Sequence, residues 1–312
     1  MSGTLSEPEP HGVIEPMDSC CICGDCKGYA VYDGPVRAGR FGALTQRTFR
    51  VLRCASCGVD RLDPLPVDTA AYESGSYRQA VDGSTDVLQY YLAHDRELAA
   101  RLGLVGSAAL RGKVIADVGC GVGAFLDILK GVAGLTIGIE PQRDFGAALR
   151  EKGHEHYAYA DGLAKAAPGS VDMAFCFQVI EHVESPRGFL ADVARCLKPG
   201  GRLHLTTPNR DDILMLVGPE SYRRFFYRVA HLWYFDAPSL CRTAEAAGLK
   251  IVQMSTPHHY DLSNFAVWLR DQRPSGLGAL PELSGPADAA FISQVIVSGR
   301  GAAIYAILER PD

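Results

Sequence analysis

Two pairs of cysteines near the start of the chain have the spacing of metal ligands. Cys20 and Cys23 form one Cys-x-x-Cys-Gly turn, and Cys54 and Cys57 form a second. The glycine after each pair lets backbone amides point at thiolate sulfur, and four thiolates in two such turns suit tetrahedral Zn²⁺. Cys23 and Cys26 form a competing first pair, but the glycine after Cys23 favours Cys20 and Cys23. The sequence therefore predicts a structural zinc site, with free or packed cysteines as the alternative.

A glycine-rich turn follows an apolar run that begins at Val114. The turn contains Gly119, Gly121 and Gly123 and opens a predicted helix, so backbone and helix amides can approach a ligand closely. Its Gly-x-Gly-x-Gly spacing differs from the Gly-x-Gly-x-x-Gly of turns that bind a dinucleotide pyrophosphate. This spacing favours a methionine-derived cofactor, whose α-amino group Asp117 can bind directly or through water. A turn without any ligand is the alternative.

Acidic residues beyond the turn complete a predicted cofactor site. Glu140 stands at the end of the second apolar strand, 21 residues after Gly119, where a carboxylate can accept hydrogen bonds from both hydroxyls of a ribose. Asp161 and Gly162 follow a short third strand, where the edge of an adenine would lie, although Asp161 alone is equally typical of a turn. Two further predicted cofactor contacts are Phe125 and Gln178.

These motifs resemble those of the class I S-adenosylmethionine-dependent methyltransferases. The similarity continues through the strand that leads to Glu181-His182 and through the turn Leu197-Lys-Pro-Gly-Gly201. The resemblance implies S-adenosylmethionine as the cofactor. A nicotinamide-dependent dehydrogenase is disfavoured, because the turn lacks the dinucleotide spacing.

The Glu181-His182 pair is the predicted catalytic centre. His182 follows a strand at the carboxyl edge of the sheet, where ligands of open α/β sheets bind. With an ordinary pKa of about 6.5, a histidine suits removal of a proton from a hydroxyl acceptor when a neighbour fixes its tautomer. We therefore predict His182 as base or acceptor-orienting group and Glu181 as its support. A purely structural histidine is one alternative.

A divalent metal is the other alternative at this position. The ubiquinone-pathway O-methyltransferases and the small-RNA terminal methyltransferases look similar here and hold a metal with a Glu-x-x-Glu-His cluster. Gln178 stands at the first position of that cluster, and its neutral amide oxygen is a weaker ligand for a hard cation, so Mg²⁺ is doubtful. His231 resembles the histidine of a His-x-x-x-Phe segment that faces the acceptor in this family, with a packed histidine as its alternative.

The segments between the motifs alternate between strands and helices from residue 113 onward. Strands are predicted at 113–118, 135–139, 171–177, 201–206, 250–255 and 302–309, with a short one ending near 159, and helices at 124–132, 145–152, 186–196 and 237–247. This alternation predicts an α/β fold with a Rossmann-like, doubly wound, mostly parallel seven-stranded sheet.

The predicted domain order follows from these boundaries. We expect a disordered leader (1–18), a zinc-ribbon-like β module (19–66), a helical lid or linker (67–110) and a cofactor domain (111–312) with an insertion at 257–301. Tyr72, Tyr77 and Arg78 stand where a lid over the cofactor would begin, with ordinary helix packing as the alternative. The cysteine pairs and the tyrosine-bearing helix resemble the zinc-ribbon methyltransferases of bacterial surface-polysaccharide and secondary-metabolite pathways.

The amino-acid composition disfavours some classes of binding partner. The 312 residues are 47% apolar and 21% charged, with a net charge of −5, which is typical of a soluble globular protein and disfavours nucleic acid. The absence of a long apolar run disfavours a membrane partner, and the acidic start and the metal-type cysteines indicate a cytoplasmic protein.

Three functions are compatible with these features. The leading prediction is O-methylation of a small polar acceptor, such as a sugar, a glycan intermediate or a natural product. An RNA or protein methyltransferase that uses the zinc module as a reader is the second, and a non-catalytic cofactor-binding scaffold is the third. Arg223, Arg224 and Arg228 near His231 favour an anionic acceptor weakly, since a solvated face explains them equally well.

Overall fold

The computed structural model describes residues 13–39, 43–81 and 83–312. Its strands are β1 (Glu15–Pro16), β2 (Lys27–Gly34), β3 (Phe49–Cys54), β4 (Asp60–Asp63), β5 (Val114–Val118), β6 (Leu135–Ile139), β7 (Glu155–Tyr157), β8 (Val171–Phe177), β9 (Leu197–Pro208), β10 (Trp233–Tyr234), β11 (Lys250–Ser255) and β12 (Ala303–Glu309). Its α-helices are α1 (Thr69–Glu73), α2 (Ser76–Val81), α3 (Val87–His94), α4 (Leu98–Gly103), α5 (Ser107–Leu110), α6 (Ala124–Leu129), α7 (Arg143–Glu151), α8 (Ala160–Ala166), α9 (Pro186–Cys196), α10 (Ile213–Val217), α11 (Glu220–Phe226), α12 (Ala237–Ala246), α13 (Leu262–Asp271) and α14 (Pro286–Val297).

A seven-stranded, mostly parallel sheet forms the centre of the fold, which confirms the predicted class. Its strand order is β11-β12-β9-β8-β5-β6-β7, and only β12 runs antiparallel to its neighbours. Its central strands β5 and β8 are mostly apolar and mostly buried, as expected for strands covered by helices on both faces. The chain runs outward from β5 to β7 and returns to β8 on the other side of β5. Ligands of such sheets bind where the strand order reverses, at the carboxyl ends of β5 and β8.

The sequence pattern predicts the long elements well and misses the short ones. The predicted ranges agree with the observed bounds of β6, β8, β11 and α9, and the predicted strand 201–206 lies within β9. Helix α9 has a strong start signal, because the Ser185 hydroxyl accepts a hydrogen bond from the Gly188 amide and Pro186 follows the cap. Helices α8, α10 and α11 have five to seven residues, which is too short for a helical period to show in the sequence.

The cysteine region forms a second, five-stranded sheet that reaches beyond its predicted boundaries. The strand order is β1-β2-β3-β4-β10. Strand β1 belongs to the predicted leader of residues 1–18, of which residues 1–12 lie outside the described part of the chain. Strand β10 comes from the cofactor domain and pairs Trp233 with Arg61. The small sheet is therefore completed by a segment about 170 residues downstream of β4, a pairing that residues 19–66 alone could not provide.

A buried arginine, Arg210, and an exposed one, Arg242, link the cysteine region to the cofactor domain. The Arg210 guanidinium pairs with Asp60 of the small sheet at 2.6 Å and with Asp236 at the start of α12. The Arg242 Nε donates to the carbonyl of Cys57 at 2.7 Å. The cysteine region is thus held against the cofactor domain by charged hydrogen bonds as well as by apolar contacts.

Residues 67–110 and 257–301 add helices around the large sheet. The first segment forms α1 to α5, in agreement with a mainly helical lid or linker, and its Leu98 and Leu102 pack against the aromatic core around Phe125. The second forms α13 and α14, and Trp268 of α13 packs edge-on against Tyr222 at 5.0 Å. None of the helices described is long and apolar enough to cross a bilayer.

Candidate active site

The four predicted zinc ligands come together in the small sheet. The Sγ atoms of Cys20 and Cys57 lie 3.6 Å apart, those of Cys23 and Cys54 lie 3.5 Å apart, and all four sulfurs lie within 4.8 Å of one another. Zn–S bonds of about 2.3 Å in a tetrahedron place sulfurs about 3.8 Å apart, so this cluster has the dimensions of a zinc site. Cys26 is exposed and stands outside the cluster, which favours Cys20 and Cys23 as the first pair.

The glycine turn connects β5 to α6 in a backbone conformation that favours glycine. Gly119, Gly121 and Gly123 have φ values of 72°, 57° and 82°. A Cβ at Gly121 would lie 2.3 Å from the hydroxyl oxygen of Tyr90, and one at Gly119 would lie 2.4 Å from Cγ2 of Val179. The turn is therefore closely covered on two sides, and neither position has room for a side chain.

Asp117 is a buried carboxyl group with an unsatisfied oxygen at the carboxyl end of β5. It is 2% exposed, and its Oδ2 has no hydrogen-bond partner. Burial raises the pKa of Asp117 to about 7; the Arg101 guanidinium opposes this shift and the Glu140 carboxylate adds to it. Buried polar atoms in proteins nearly always have a partner, so this oxygen fits a cationic ligand such as an ammonium group.

Glu140 is fixed beside the turn by two backbone amides. Its Oε2 accepts a hydrogen bond from the Gly121 amide and its Oε1 from the Gln142 amide, both at 2.9 Å. Burial raises the pKa of Glu140 above its ordinary value, and these amides and the Arg78 guanidinium oppose the rise. Each carboxylate oxygen keeps a lone pair, so the group can still accept the predicted hydrogen bonds from ribose hydroxyls.

Phe125 does not face the turn. Its ring is fully buried in the first turn of α6 and packs edge-on against Phe175 at 5.0 Å and Phe177 at 5.8 Å. The predicted cofactor contact of Phe125 is therefore corrected to a place in the core. An apolar residue on the core side of a helix explains it fully.

The remaining predicted cofactor residues lie at the carboxyl edge. Asp161 and Gly162 lie in the first turn of α8 instead of a free turn, and the Asp161 carboxylate pairs with Lys165 at 2.7 Å. Gln178 follows β8 with a φ of 58°, and its side chain donates to the Thr206 hydroxyl at 3.3 Å. Their predicted contacts with a cofactor stay predictions.

Glu181 and His182 occupy a helical turn after β8. The Oε2 of Glu181 accepts a hydrogen bond from the Thr207 hydroxyl at 3.0 Å, while Oε1 has no partner, and burial raises the pKa of Glu181 to about 7. The Nδ1 of His182 donates to the Ala230 carbonyl at 2.6 Å, so Nε2 carries the lone pair of the neutral ring. Burial, with the charge of Arg228, lowers the pKa of His182 to about 3.

His231 completes this cluster from the loop before β10. Its ring meets the ring of His182 edge-on at 4.7 Å, and burial holds the pKa of His231 well below its ordinary value. One ligand atom each of Glu181, His182 and His231 lies within 4.8 Å of the others. A carboxylate with two imidazoles suits a borderline cation such as Zn²⁺ better than Mg²⁺, so Mg²⁺ stays doubtful here.

Similarity to known proteins agrees with this arrangement. A family model described as a methyltransferase domain matches residues 89–254, which is more than half of the chain. The chain belongs to the class I S-adenosylmethionine-dependent methyltransferases. The cysteine cluster lies outside the matched range, so the methyltransferase has an additional N-terminal sheet.

Relatives of known name align with about half of the length of this methyltransferase. The ubiquinone biosynthesis O-methyltransferase of Aeromonas salmonicida is 32% identical over 170 residues, which cover 51% of this chain and 71% of the relative. That of Cupriavidus pinatubonensis is 32% identical over 185 residues, covering 55% and 74%. A chain of the complex between the Haloferax volcanii Trm112 methyltransferase activator and a methyltransferase superposes with a TM-score of 0.51 at 15% identity, covering 74% of this chain and 97% of that one, which shows a shared fold.

S-adenosylmethionine fits the groups that the methyltransferase places around its glycine turn. Asp117 offers a buried, unpartnered carboxyl oxygen, and Glu140 offers a carboxylate whose orientation is fixed by amides. These groups match the ammonium and the ribose hydroxyls of the cofactor in kind. Holding the cofactor would fall to these two residues and to the backbone of the turn.

Tyrosines of the helical segment cover the methyltransferase site. The Tyr72 hydroxyl lies 3.3 Å from Nδ1 of His182, and the Tyr77 ring meets the His182 ring edge-on at 5.7 Å. The Arg78 guanidinium lies 5.1 Å over the Tyr90 ring, which covers Gly121. The predicted lid role of Tyr72, Tyr77 and Arg78 stays a prediction. Tyr90 was missed, although it follows Val87 at helical spacing.

Proposed function

We propose that this methyltransferase transfers a methyl group to a hydroxyl oxygen of a small polar acceptor bound at Glu181, His182 and His231. The observation that carries this proposal is the convergence of one unsatisfied carboxyl oxygen and two neutral imidazoles beside the glycine turn. The link to the turn is direct, because Val179 lies against Gly119 just before the cluster begins. The names of the relatives support oxygen as the acceptor atom.

Alignment and proton removal are the chemical tasks of the chain. S-adenosylmethionine supplies a methyl group on a sulfonium, which is already an activated leaving group. A hydroxyl acceptor must lose its proton as the new bond forms. The protein therefore needs one group that orients the hydroxyl and one that receives its proton.

His182 is suited to orienting the hydroxyl. Because Nδ1 donates to the Ala230 carbonyl, the neutral ring offers only Nε2 as an acceptor. A ring with a pKa of about 3 is a weak base at neutral pH. His182 would accept a hydrogen bond from a second polar group of the acceptor and so fix the direction of the reacting hydroxyl, whose own proton is directed at Glu181.

Glu181 is suited to receiving the proton. Its carboxylate lies 3.9 Å from Nε2 of His182, and a pKa of about 7 matches a general base that works near neutral pH. This assignment reverses the predicted roles, in which His182 was the base and Glu181 its support. The enclosing tyrosines Tyr72 and Tyr77 would exclude water from the reacting hydroxyl.

The cysteine cluster would hold a structural Zn²⁺. Four thiolates close the coordination shell, which leaves no open position for a substrate. The Arg187 guanidinium donates to the carbonyl of Ile22 at 3.4 Å, between two of the ligand cysteines. The ion would therefore stabilise turns that also contact the cofactor domain, and reduced thiolates fit a cytoplasmic compartment.

The decisive experiment incubates the purified protein with methyl-labelled S-adenosylmethionine and a metabolite extract of the host. The acceptor is the molecule that gains one labelled methyl group in mass spectrometry. Glu181→Gln should lower kcat about a hundredfold or more, because it removes the proton acceptor. Glu184→Gln changes an exposed glutamate three residues away and should keep wild-type turnover.

Three results would contradict the proposal. Wild-type turnover by Glu181→Gln would contradict the role of Glu181 as the base. Labelling of a nitrogen or carbon atom would contradict an oxygen acceptor. If the protein binds the cofactor but no metabolite gains the label, the proposal of a small-molecule acceptor is contradicted. A metal equivalent that is lost in His231→Ala would instead favour a metal ion at the cluster.

A further inference from the structure

Two arginines from distant parts of the chain lie side by side next to the acceptor cluster. Arg37 follows β2, and its amide donates to the Tyr227 carbonyl at 2.9 Å, while its own carbonyl accepts from the Val229 amide at 3.1 Å. These bonds form a parallel bridge that pairs Arg37 with Arg228. Paired residues of a bridge project their side chains to the same face, and the charge of the Arg228 guanidinium acts on that of Arg37.

Neither guanidinium forms an ion pair with a carboxylate in the described part of the chain, although the charge of Arg228 acts on the Glu181 carboxylate. The Nε atoms of both Arg37 and Arg228 are buried without a hydrogen bond, and Arg37 is 9% exposed. The contact of the Arg37 guanidinium is the face of the Phe225 ring, 4.2 Å away. Burial and the neighbouring charge of Arg228 lower the pKa of Arg37 to about 10.

Such an arrangement costs free energy in the absence of a ligand. Burying a cation without a counter-charge is unfavourable, and two adjacent cations repel each other. The tyrosine hydroxyls nearest to Arg37 belong to Tyr222, Tyr234 and Tyr260, none of which carries a negative charge at neutral pH. Within the described residues no carboxylate forms an ion pair with either arginine, so the two charges are open to an anion that a ligand supplies.

The two arginines belong to the acceptor side of the site. The Arg228 carbonyl accepts a hydrogen bond from the His231 amide at 3.0 Å, and the Tyr234 hydroxyl bonds to the Arg228 backbone. Their charges contribute to the low pKa of His231, and the charge of Arg228 also acts on His182. An anion held by the two guanidinium groups would therefore lie next to the group that orients the hydroxyl.

We propose that Arg37 and Arg228 bind an oxyanion of the methyl acceptor, a phosphate or a carboxylate, so that the enzyme selects anionic small molecules. This proposal rests on the proposed function and names its substrate class. Arginine suits this task, because its planar donor pairs match the oxygen pairs of phosphate and carboxylate groups. It also gives the cysteine region a direct role, since Arg37 stands in that region and would touch the substrate.

The test measures anion binding directly, without turnover. Purified protein saturated with S-adenosylhomocysteine is titrated with inorganic phosphate and, separately, with acetate, at constant ionic strength set by sodium chloride, and binding is followed by calorimetry. Arg37→Met and Arg228→Met should each weaken binding of the preferred anion by about tenfold or more, as expected for a lost charge-assisted hydrogen bond. Arg37→Lys keeps the positive charge but lacks the planar pair of donors. Its affinity for the anion should therefore lie between those of the wild type and Arg37→Met.

The matched control is Arg224→Met, which removes an exposed arginine from α11 close by in the chain. It should bind the anion as the wild type does. All variants are first required to bind S-adenosylhomocysteine with wild-type affinity, which separates loss of the anion site from loss of the fold. If Arg37→Met fails this requirement, Arg228→Met and Arg37→Lys provide the test.

Two results would overturn the inference. Neither anion binds to the wild type, or Arg224→Met weakens binding as much as Arg37→Met and Arg228→Met. Failure here is distinguishable from failure of the proposed function, because methyl transfer to an extract metabolite can occur without an anion site. In the supporting case, the methylated metabolite is retained on an anion exchanger, and Arg37→Met raises its KM more than it lowers kcat.

Discussion

Binding of the cofactor should be coupled to ionisation of Asp117. Burial raises the pKa of Asp117 to about 7, and its Oδ2 has no hydrogen-bond partner. An ammonium group next to that oxygen would favour the ionised carboxylate and lower its pKa. The protein should therefore release a proton from Asp117 when the cofactor binds at or below neutral pH.

The size of this effect follows from the pKa. Each pH unit below 7 lowers the ionised fraction about tenfold, so the affinity at pH 5 should be about a hundredfold lower than on the plateau, or about 2.7 kcal/mol. Above the pKa of its own amino group the cofactor loses the positive charge that Asp117 would bind, and the affinity should fall again. The affinity is therefore expected to pass through a maximum between the two pKa values.

Calorimetry with S-adenosylhomocysteine between pH 5 and pH 8 tests this reasoning. Measurements in two buffers of different ionisation enthalpy count the released protons. Asp117→Asn should bind about tenfold to a hundredfold more weakly at neutral pH, because a charge-assisted hydrogen bond is lost, and should lose the slope below pH 7. Asp192→Asn, which changes a surface aspartate paired with Arg195, should behave as the wild type. An affinity that stays level from pH 5 to pH 7 would refute the reasoning.

Further predictions concern the metal, the turn and the link between the sheets. Elemental analysis should find one zinc per chain in the wild type and in Cys26→Ser, but none in Cys54→Ser, because only the latter removes a ligand. Gly121→Ala should lower the free energy of unfolding by about 2–4 kcal/mol from its positive φ and its clash with Tyr90, and less in a Tyr90→Ala background. Arg210→Met should lower it by about 3–5 kcal/mol in urea titrations, because the buried Asp236 carboxylate loses its counter-charge and the buried Asp60 carboxylate keeps only Arg53.

Each of these has a control or an outcome that contradicts it. Zinc that stays in Cys54→Ser would place the metal elsewhere. If Gly121→Ala lowers the free energy of unfolding equally in the wild-type and Tyr90→Ala backgrounds, the clash with Tyr90 makes no contribution and only the backbone conformation explains the loss. Arg202→Met breaks an exposed pair with Glu309 and should cost less than about 1 kcal/mol, so a similar loss in Arg210→Met would contradict the role of its buried pairs.

The sequence alone determined the features that depend on local chain geometry. The glycine spacing after β5 predicts a close backbone approach, and the apolar run before Glu140 predicts a buried strand that ends in a carboxylate; the structure has both. These predictions succeed because strand period, positive φ and chain reversal are set within a few residues. The same holds for the two cysteine turns, whose pairing needs only the return of one hairpin.

The tertiary structure decided what each of these residues faces. It placed the Phe125 ring in the core and Tyr90 against Gly121, and burial and the hydrogen bond to Ala230 support the exchange of roles that we propose for Glu181 and His182. Side-chain environment, and with it pKa, depends on neighbours that are distant in the chain.

The same reason hid Arg37 from the sequence. No motif marks this arginine, and it becomes a candidate substrate ligand only because its backbone pairs with Arg228, 191 residues later. Strand β10 likewise joins the small sheet only after the chain has completed most of the large one. Short stretches of sequence thus determine turns, strands and the types of side chain that they carry. Packing between remote segments determines which side chains meet, and with that the function they can have.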